Sequence, residues 1–392
     1  MKVALIIERA DIELGGAERS LFELSAALQS AGCEIEILAA KGDTKAGNVR
    51  PLCCDLPGKR TQLDIFEKAI KRYISQNHFD IIHSFLPVDF CDVYQPRGGA
   101  YPEAAARNAA SYQNSILRFY KNASAFMNLR RTRLAKAEAR ICAEPAGPIV
   151  AALSDYVVKQ FNEHYGLCND RIALIHNGIL TDQVADPTEA DRFRADILRR
   201  LNLKEADQPV LLLFAAHNFR LKGLSPLVRA MQMSAGPSDR TAYLLVAGNG
   251  NISKYKRLAS RLNLQNKILF LGPVRKIQTA IAVCDLAVLP TFYDPSSRFT
   301  LEAIASDKPV ITTKFNGATD LFTNNRHGRI IDIPNNIPAL AEAISHFTDT
   351  DNINKASAAI IKDNLREQVS ISRVASQLIN LYRTILEKRK TK

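Results

Sequence analysis

The 392-residue sequence lacks the features that mark several large classes of protein. It has no uninterrupted apolar run near the ~18 residues that a membrane-spanning helix needs. It has no repeat of short period and no low-complexity tract, which excludes repeat and fibrous architectures. The seven cysteines are scattered without a C-x-x-C pair, so we expect a reduced compartment and no structural zinc. A G-x-S-x-G elbow is also missing, which argues against a serine hydrolase of that kind.

The amino-terminal stretch M-K-V-A-L-I-I-E-R-A carries an apolar run too short for the core of a signal peptide, and acidic residues follow at once. This pattern is typical of a first β-strand. We therefore expect a cytoplasmic protein, with contact at the inner face of the cytoplasmic membrane as an additional possibility raised by its charge.

Positive charge is in excess, with a formal net charge of +12, and it is unevenly distributed. Residues 97–140 contain nine Lys or Arg and only two acids, Glu103 and Glu138. A solvated helix face explains such a run, and so does a face on an anionic membrane, where each basic residue adds ~1 kcal/mol. Nucleic acid is the weaker interpretation, because no helix-turn-helix, zinc-finger or R-G-F-like motif accompanies the charge.

Short continuous apolar runs alternate with amphipathic helical patterns along the whole chain, as in K-V-A-L-I-I near the start and P-V-L-L-L-F-A-A after residue 208. Continuous runs indicate strands covered on both faces, and the alternation predicts parallel, doubly wound α/β sheets. Residues 181–208 are polar and poor in strands. We predict two Rossmann-like domains, 1–180 and 181–372, with a terminal helix at about 373–392 packing back on the first.

The stretch D-P-S-S-R-F-T-L-E-A places Asp294 and Glu302 on a loop that follows one predicted strand and enters a helix. Ligands of doubly wound sheets bind outside the carboxyl ends of the strands. A helix beginning near Phe299 or Thr300 would offer unpaired N–H groups to a phosphate, and Glu302 in its first turn would accept hydrogen bonds from a ribose diol. The plainer interpretation is that one of these two acids caps the helix and the other is solvated.

A second loop, H-N-F-R-L-K-G-L, follows the first strand of the second domain and carries Arg220 and Lys222. Two cations at that edge would hold a diphosphate, although an ordinary basic loop has the same composition. Cations for phosphate and acids for hydroxyls at one edge together describe a nucleoside diphosphate sugar. In the first domain, Gly15 and Gly16 open a helix after the first strand, without the G-x-G-x-x-G pattern of a dinucleotide site.

Two weaker signals have structural explanations. His83 follows the strand pattern I-I-H and is read first as a packed or capping histidine, with a functional role as the alternative. The D-T-D run at 349–351 is read as a helix cap or turn, with divalent-metal binding as the alternative.

The chain resembles the retaining glycosyltransferases of family 4, with the GT-B fold, and within them the lipopolysaccharide core glucosyltransferases. The residues that carry the resemblance are G-G-A-E-R at 15–19, H-N-G-I at 176–179, R-L-K-G, V-A-G-N-G at 246–250 and the segment D-P-S-S-R-F-T-L-E-A-I-A-S-D-K-P-V-I-T-T. The last matches a family motif of two carboxylates separated by seven intervening residues. The resemblance implies two Rossmann-like domains facing a cleft.

For the site, the resemblance implies that the donor binds mainly to the second domain. Glu302 would hold the ribose, Asp294 the sugar, and Arg220 with Lys222 the diphosphate. Backbone contacts would come from Phe299, Thr300 and Leu301 at the diphosphate, Val274 and Arg275 at the base, and Gly15 and Gly16 near the phosphates or sugar.

Three positions depart from the family pattern. Asp294 stands where a glutamate is usual, the basic pair reads R-x-K-G, and Q-P-R-G-G at 95–99 has glycines where relatives carry an acid or histidine, so no catalytic base is named. The resemblance implies retaining transfer of a hexose, with UDP as the expected nucleotide, to a lipid-linked or envelope saccharide, without metal or other cofactor. The alternatives are an epimerase or phosphorylase on the same scaffold, or a non-enzymatic protein that binds polyanions.

Overall fold

The computed structural model describes residues 1–11, 16–42, 47–58, 60–123, 128–234 and 240–391. The first half contains the strands β1 (Lys2–Ala10), β2 (Glu34–Gly42), β3 (Val49–Pro51), β4 (Ile81–Ser84), β5 (Val93–Tyr94), β6 (Ile149–Ala152) and β7 (Ile172–Leu174). Its helices are α1 (Gly16–Ser30), α2 (Leu63–Gln76), α3 (Tyr101–Ala110), α4 (Ser115–Ala123), α5 (Leu129–Ala143) and α6 (Asp155–Tyr165).

The second half has the same alternation. Its strands are β8 (Val210–Ala215), β9 (Ala242–Ala247), β10 (Ile268–Gly272), β11 (Leu286–Leu289), β12 (Val310–Thr313) and β13 (Gly328–Ile331). Its helices are α7 (Pro187–Leu201), α8 (Leu224–Met233), α9 (Ser253–Arg261), α10 (Ile277–Val283), α11 (Arg298–Ala305), α12 (Ile337–His346), α13 (Thr350–Lys362), α14 (Leu365–Gln368) and α15 (Ile371–Lys390).

The described strands form two parallel sheets, with the orders β3-β2-β1-β4-β5-β6-β7 and β10-β9-β8-β11-β12-β13. In each sheet the strand order reverses once, between β1 and β4 in the first and between β8 and β11 in the second. Loops diverge at such a reversal and leave a crevice at the carboxyl edge. The α/β class and the doubly wound sheets predicted from the sequence are confirmed.

The chain divides into two compact units. Unit 1 consists of residues 1–106, 119–179 and 371–392, and unit 2 of residues 107–118 and 180–370. The sequence division had placed residues 107–118 in the first domain, whereas they group with unit 2. The stretch 181–208, read from the sequence as polar and poor in strands, contains helix α7. Asp186 caps this helix, and Ile197 and Leu198 are buried.

Helix α15 belongs to unit 1 and is joined to its core by a buried hydrogen bond. His83, at the end of β4, and Tyr382, on α15, are both fully buried, and His83 Nδ1 lies 2.5 Å from the Tyr382 hydroxyl. Burial, and then the charge of Arg97, lower the pKa of His83 to about 3. The histidine is therefore neutral and packed, which agrees with the structural interpretation of its sequence position. Asp349 likewise proves to be the cap of α13.

The basic helix α5 is held to unit 1 by its one acid. The carboxylate of Glu138 is fully buried and accepts hydrogen bonds from the Tyr94 hydroxyl at 2.7 Å, the Tyr165 hydroxyl at 2.5 Å and the Tyr101 N–H at 2.8 Å. Burial raises the pKa of Glu138, and these three donors oppose that rise. Three donors to one buried carboxylate fix the inner face of α5. No described helix combines the length and hydropathy needed to cross a bilayer.

We predict that Tyr382→Phe destabilises the protein by about 1–3 kcal/mol, because it leaves the imidazole of His83 buried without a polar partner. Urea unfolding measures the change. Ser376→Ala is the matched control, since it also removes a hydroxyl from α15 but at an exposed position, where Ser376 bonds only the Ser372 carbonyl. Equal losses in the two variants would contradict the assignment.

Candidate active site

The strand reversal of unit 2 brings two predicted site residues into contact. Lys222 follows β8 and Asp294 follows β11, the two strands on either side of the reversal. Lys222 Nζ donates to Asp294 Oδ2 at 2.6 Å and to the Tyr293 carbonyl at 2.9 Å. Both side chains are largely covered, so this ion pair is less screened by solvent than a surface pair.

Gly223 permits this approach. It caps α8 with a φ of 82°, and a Cβ at this position would lie 1.9 Å from the Pro290 carbonyl oxygen. Only glycine combines the left-handed conformation with that contact. The loop after β8 therefore packs directly against the loop after β11, and Lys222 reaches Asp294 as a result.

The predicted partner Arg220 points elsewhere. Its guanidinium donates to the Asn108 carbonyl at 2.9 Å, to the Asn108 side-chain oxygen at 2.7 Å and to the Ser111 hydroxyl. It also stacks on Tyr112, with 3.8 Å between Cζ and the ring centroid. Burial lowers the pKa of Arg220, although a guanidinium stays charged in proteins. Residues 107–118 thus engage the Arg220 guanidinium, and its joint action with Lys222 on one diphosphate stays a prediction.

Helix α11 begins at Arg298, one to two residues earlier than predicted. Ser297 caps it, with its hydroxyl accepting from the Thr300 N–H at 3.3 Å, and the Leu301 N–H closes the first turn onto the Ser297 carbonyl at 3.1 Å. Of the three N–H groups predicted to meet a diphosphate, these two already have partners. The Phe299 N–H has none among the described residues, so it is the predicted donor that remains available.

Glu302 lies in the second turn of α11, and not in the first. Its side chain is buried and accepts a hydrogen bond from Arg298 Nε at 2.9 Å, four residues earlier on the helix. The neighbouring arginine fixes the direction of this carboxylate.

The remaining predicted residues are more distant or lie in unit 1. Val274 and Arg275 are on the loop after β10, the edge strand two positions from β8. Gly16 is the first residue of α1 in unit 1, and Gly15 lies outside the described residues.

Asn316, which the sequence analysis missed, organises the acidic loop. It is fully buried after β12, and its side-chain oxygen accepts from the N–H groups of Ser297 and Ala318, both at 3.1 Å. Its amide nitrogen donates to the Thr300 hydroxyl at 2.9 Å and the Thr312 hydroxyl at 3.1 Å. One side chain thus satisfies the polar groups of three segments at the start of α11.

The Asp294 backbone is fixed next to Asn316. The Asp294 N–H donates to the Phe315 carbonyl at 2.8 Å, and the Asp294 carbonyl accepts from the Gly317 N–H at 2.9 Å. Both carboxylates predicted for the site are therefore positioned by the segment 315–317, which follows the next strand of the sheet.

Lys254 is a further cation at this edge that sequence reading missed. It lies in the first turn of α9, after β9, with its Nζ 4.6 Å from the Tyr255 ring centroid. Partial burial and the charge of Arg220 lower its pKa. Arg220, Lys222 and Lys254 thus follow two adjacent strands, a distribution of charge suited to an anionic ligand.

Comparison with known proteins identifies the family of this chain. Residues 14–183 match the sequence family described as Glycosyltransferase Family 4, and residues 197–366 match the family described as Glycosyl transferases group 1. The chain belongs to the GT-B glycosyltransferases. The non-enzymatic alternative is set aside by this membership, which covers both units.

Curated relatives of this glycosyltransferase are distant. It is 25% identical over 224 residues to the uncharacterized glycosyltransferase MJ1607 of Methanocaldococcus jannaschii, covering 56% of this chain and 55% of the relative. It is 23% identical over 266 residues to the lipopolysaccharide glucosyltransferase WaaG of Escherichia coli K12, covering 68% and 67%. The matches thus span between about half and two thirds of these relatives' own length.

Solved structures show the same fold over nearly the whole glycosyltransferase chain. The crystal structure of WaaG superposes with a TM-score of 0.74 and 18% identity, covering 97% of this chain and 99% of that one. The Anabaena protein Alr3699/HepE, solved in complex with UDP and glucose, superposes with a TM-score of 0.69 and 16% identity, covering 98% and 100%.

We predict that Asn316→Ala destabilises the glycosyltransferase by about 3 kcal/mol, because it leaves two buried N–H groups without an acceptor and two buried hydroxyls without a donor, and, under the function proposed below, that it weakens UDP binding. Urea unfolding and the thermal shift with UDP measure the two effects. Asn336→Ala is the matched control, because Asn336 also caps a helix of unit 2, α12, by accepting from the Ala339 N–H at 3.2 Å. The control should lose only ~1 kcal/mol and keep the UDP shift.

Proposed function

We propose that this glycosyltransferase moves a hexose, with retention at the anomeric carbon, from a UDP-linked donor to a lipid-linked or envelope saccharide such as lipopolysaccharide core. The observation that carries the proposal is the Lys222–Asp294 pair beside the start of α11, at the strand reversal of unit 2. The names of two similar proteins support the donor and the acceptor named in this proposal. WaaG is named a lipopolysaccharide glucosyltransferase, and the Anabaena protein was solved with UDP and glucose.

In this proposal the cations of unit 2 stabilise charge that develops on the leaving diphosphate. Lys222 turns from Asp294 to the β-phosphate, the Phe299 N–H and the α11 dipole face the same group, and Arg220 and Lys254 contribute charge from the neighbouring loops. These groups supply the positive charge that a metal ion provides elsewhere, so the proposal needs no metal. Asp294, released from Lys222, accepts hydrogen bonds from the sugar, and Glu302 accepts them from the ribose. Val274 and Arg275 border the base.

The proposed transfer step does not require a protein side chain to accept the proton of the acceptor hydroxyl. The bond between the anomeric carbon and the β-phosphate oxygen breaks as the acceptor hydroxyl oxygen bonds to the same face of the sugar. The proton of that hydroxyl passes to the departing phosphate oxygen. The products are the extended saccharide and the free nucleoside diphosphate, which distinguishes this reaction from epimerisation, where no acceptor is used, and from phosphorolysis, where free phosphate is consumed.

We predict that Lys222→Ala lowers kcat by a factor of about 10²–10³ with UDP-glucose as donor, because it removes a cation that acts on the transition state. Lys314→Ala is the control: Lys314 also pairs with an aspartate of unit 2, Asp332, at 3.4 Å, but both side chains of that pair are exposed. Initial rates and circular dichroism separate catalysis from folding. An unchanged rate in Lys222→Ala would remove the diphosphate assignment.

Donor binding is tested with the wild-type protein. UDP at about 100 times its dissociation constant should stabilise the wild type by ~2.7 kcal/mol, and proton NMR of the product should show the anomeric configuration of the donor.

We also propose that the glycosyltransferase contacts an anionic membrane through the basic region 97–140. Both acids of this region face protein partners: Glu138 is buried, and Glu103 accepts from the Tyr156 hydroxyl at 2.9 Å and contacts His164. Helix α4 exposes Ile116 and Phe119, each at 76%, beside Arg118 and Lys121. Exposed large apolar side chains flanked by basic ones fit the interface of a bilayer with anionic headgroups.

We predict that the protein sediments with vesicles containing phosphatidylglycerol and not with vesicles of phosphatidylcholine alone. Replacing both Ile116 and Phe119 by Ser should weaken partitioning at least tenfold, because each buried apolar side chain contributes about 1.5–3 kcal/mol. Val184→Ser is the control, since Val184 is equally exposed, at 76%, outside the basic region. An equal loss in the control, or equal binding to neutral vesicles, would contradict the proposal.

A further inference from the structure

Unit 1 contains a cavity of about 360 Å³ that the proposed donor site does not use. Its floor is apolar and includes Phe66 of α2, Leu86 after β4 and Leu134 of α5, all buried. The volume is in the range of small-molecule sites, which are mostly apolar with a few convergent polar groups.

The cavity lies at the place where a ligand of this sheet is expected. Glu8, near the carboxyl end of β1, and Leu86, just after β4, both line it. Because β1 and β4 are the neighbours at which the strand order of unit 1 reverses, the cavity opens at the topological switch point. This is the same relation to the sheet that Lys222 and Asp294 have in unit 2.

Two oxygen atoms in the cavity wall are buried without a hydrogen-bond partner in the described part of the chain, Glu8 Oε1 and Thr61 Oγ1. The other oxygen of the Glu8 carboxylate accepts from Arg130. A buried carboxylate oxygen without a donor costs free energy, so a ligand that brings hydroxyl or other donor groups would be favoured here.

The rim carries more positive than negative charge. Arg60, Arg130 and Arg133 line the cavity together with one carboxylate, Glu8. The Glu8 carboxylate engages Arg130, and Arg133 donates to the neutral side chain of Gln62 at 2.9 Å. The rim therefore retains an excess of guanidinium groups, which favours a phosphate.

We propose that this cavity binds the acceptor, and that the acceptor is an amphiphilic anion: an alkyl or acyl chain joined to a phosphate, with saccharide hydroxyls beside it. The chain would lie on the apolar floor, the phosphate against Arg60 and Arg133, and hydroxyl groups against Glu8 and Thr61. The identification of this ligand as an acceptor rests on the proposed function, whereas its chemistry follows from the cavity alone. A free anion would leave the apolar floor unused.

The test is a direct binding measurement on the full-length protein with decyl phosphate, below its micelle concentration, by isothermal titration calorimetry. We expect decyl phosphate to bind at least tenfold more tightly than neutral decyl glucoside and than inorganic phosphate. Arg60→Gln and Arg133→Gln should each weaken binding three- to tenfold, and Leu63→Trp, which fills the cavity from a partly exposed position, should abolish it.

Arg140→Gln is the matched control, because Arg140 is an exposed arginine of the same helix α5 that does not line this cavity. It should leave binding unchanged, and urea midpoints should show that each variant folds. Three results would overturn the proposal: no binding of decyl phosphate, equal weakening by Arg140→Gln and Arg133→Gln, or inorganic phosphate binding as tightly as the alkyl ester.

Different experimental results would contradict this inference and the donor assignment. Stabilisation by UDP without binding of decyl phosphate would overturn the cavity proposal and leave the donor site intact. Binding of decyl phosphate without any effect of UDP or UDP-glucose would leave an amphiphile site in unit 1 and remove the proposed transfer reaction.

Discussion

The buried amide of Asn316 is the constraint on which the geometry at the carboxyl edge of the second sheet depends. A single side chain accepts from the start of α11 and from the 3₁₀ turn Gly317–Leu321, and it donates to hydroxyls on α11 and β12. Because the interior has a low effective dielectric, these bonds are stronger than in water, and losing any of them is more costly. Three consecutive pieces of the carboxyl edge thus keep fixed positions relative to Asp294.

The same edge keeps its charges paired within the protein. Lys222 and Asp294 neutralise one another, and Arg298 neutralises Glu302. A ligand that carries both phosphates and hydroxyls can replace the first pair without leaving either charge alone, because it supplies an anion for the lysine and donors for the aspartate. A ligand with only one of these groups would leave either Lys222 or Asp294 poorly solvated and without a partner of opposite charge. Such an edge discriminates in favour of molecules that combine the two chemistries.

Much of the architecture could be read from the sequence, because parallel strands covered on both faces appear as continuous apolar runs. The runs at β1, β8 and β11 are examples, and each strand lies where its run does. The two short strands β3 and β5 were missed, since Val49–Pro51 and Val93–Tyr94 are too brief to show a pattern. The helix within 181–208 was missed because its polar face outweighs its few buried residues.

The site was less predictable than the fold, for a physical reason. Lys222 and Asp294 could be placed at one edge because strand ends can be located in a sequence. The position of the Arg220 guanidinium could not be predicted, because its partners Asn108 and Ser111 are more than a hundred residues away in the sequence. Asn316 carried no signal either. A polar residue after a strand looks like any loop residue until the chain brings three segments around it.

The position of α15 has a consequence for the order in which the chain acquires structure during synthesis. Unit 1 includes residues 1–106 and also helix α15, which follows all of unit 2 in the chain, and Ile371 returns to unit 1 through a hydrogen bond to the Ile179 carbonyl at 2.8 Å. Domains ordinarily complete themselves in the order in which they leave the ribosome. Here all residues of unit 2 are made before α15, so unit 1 can be completed only after unit 2, once Tyr382 is available to His83.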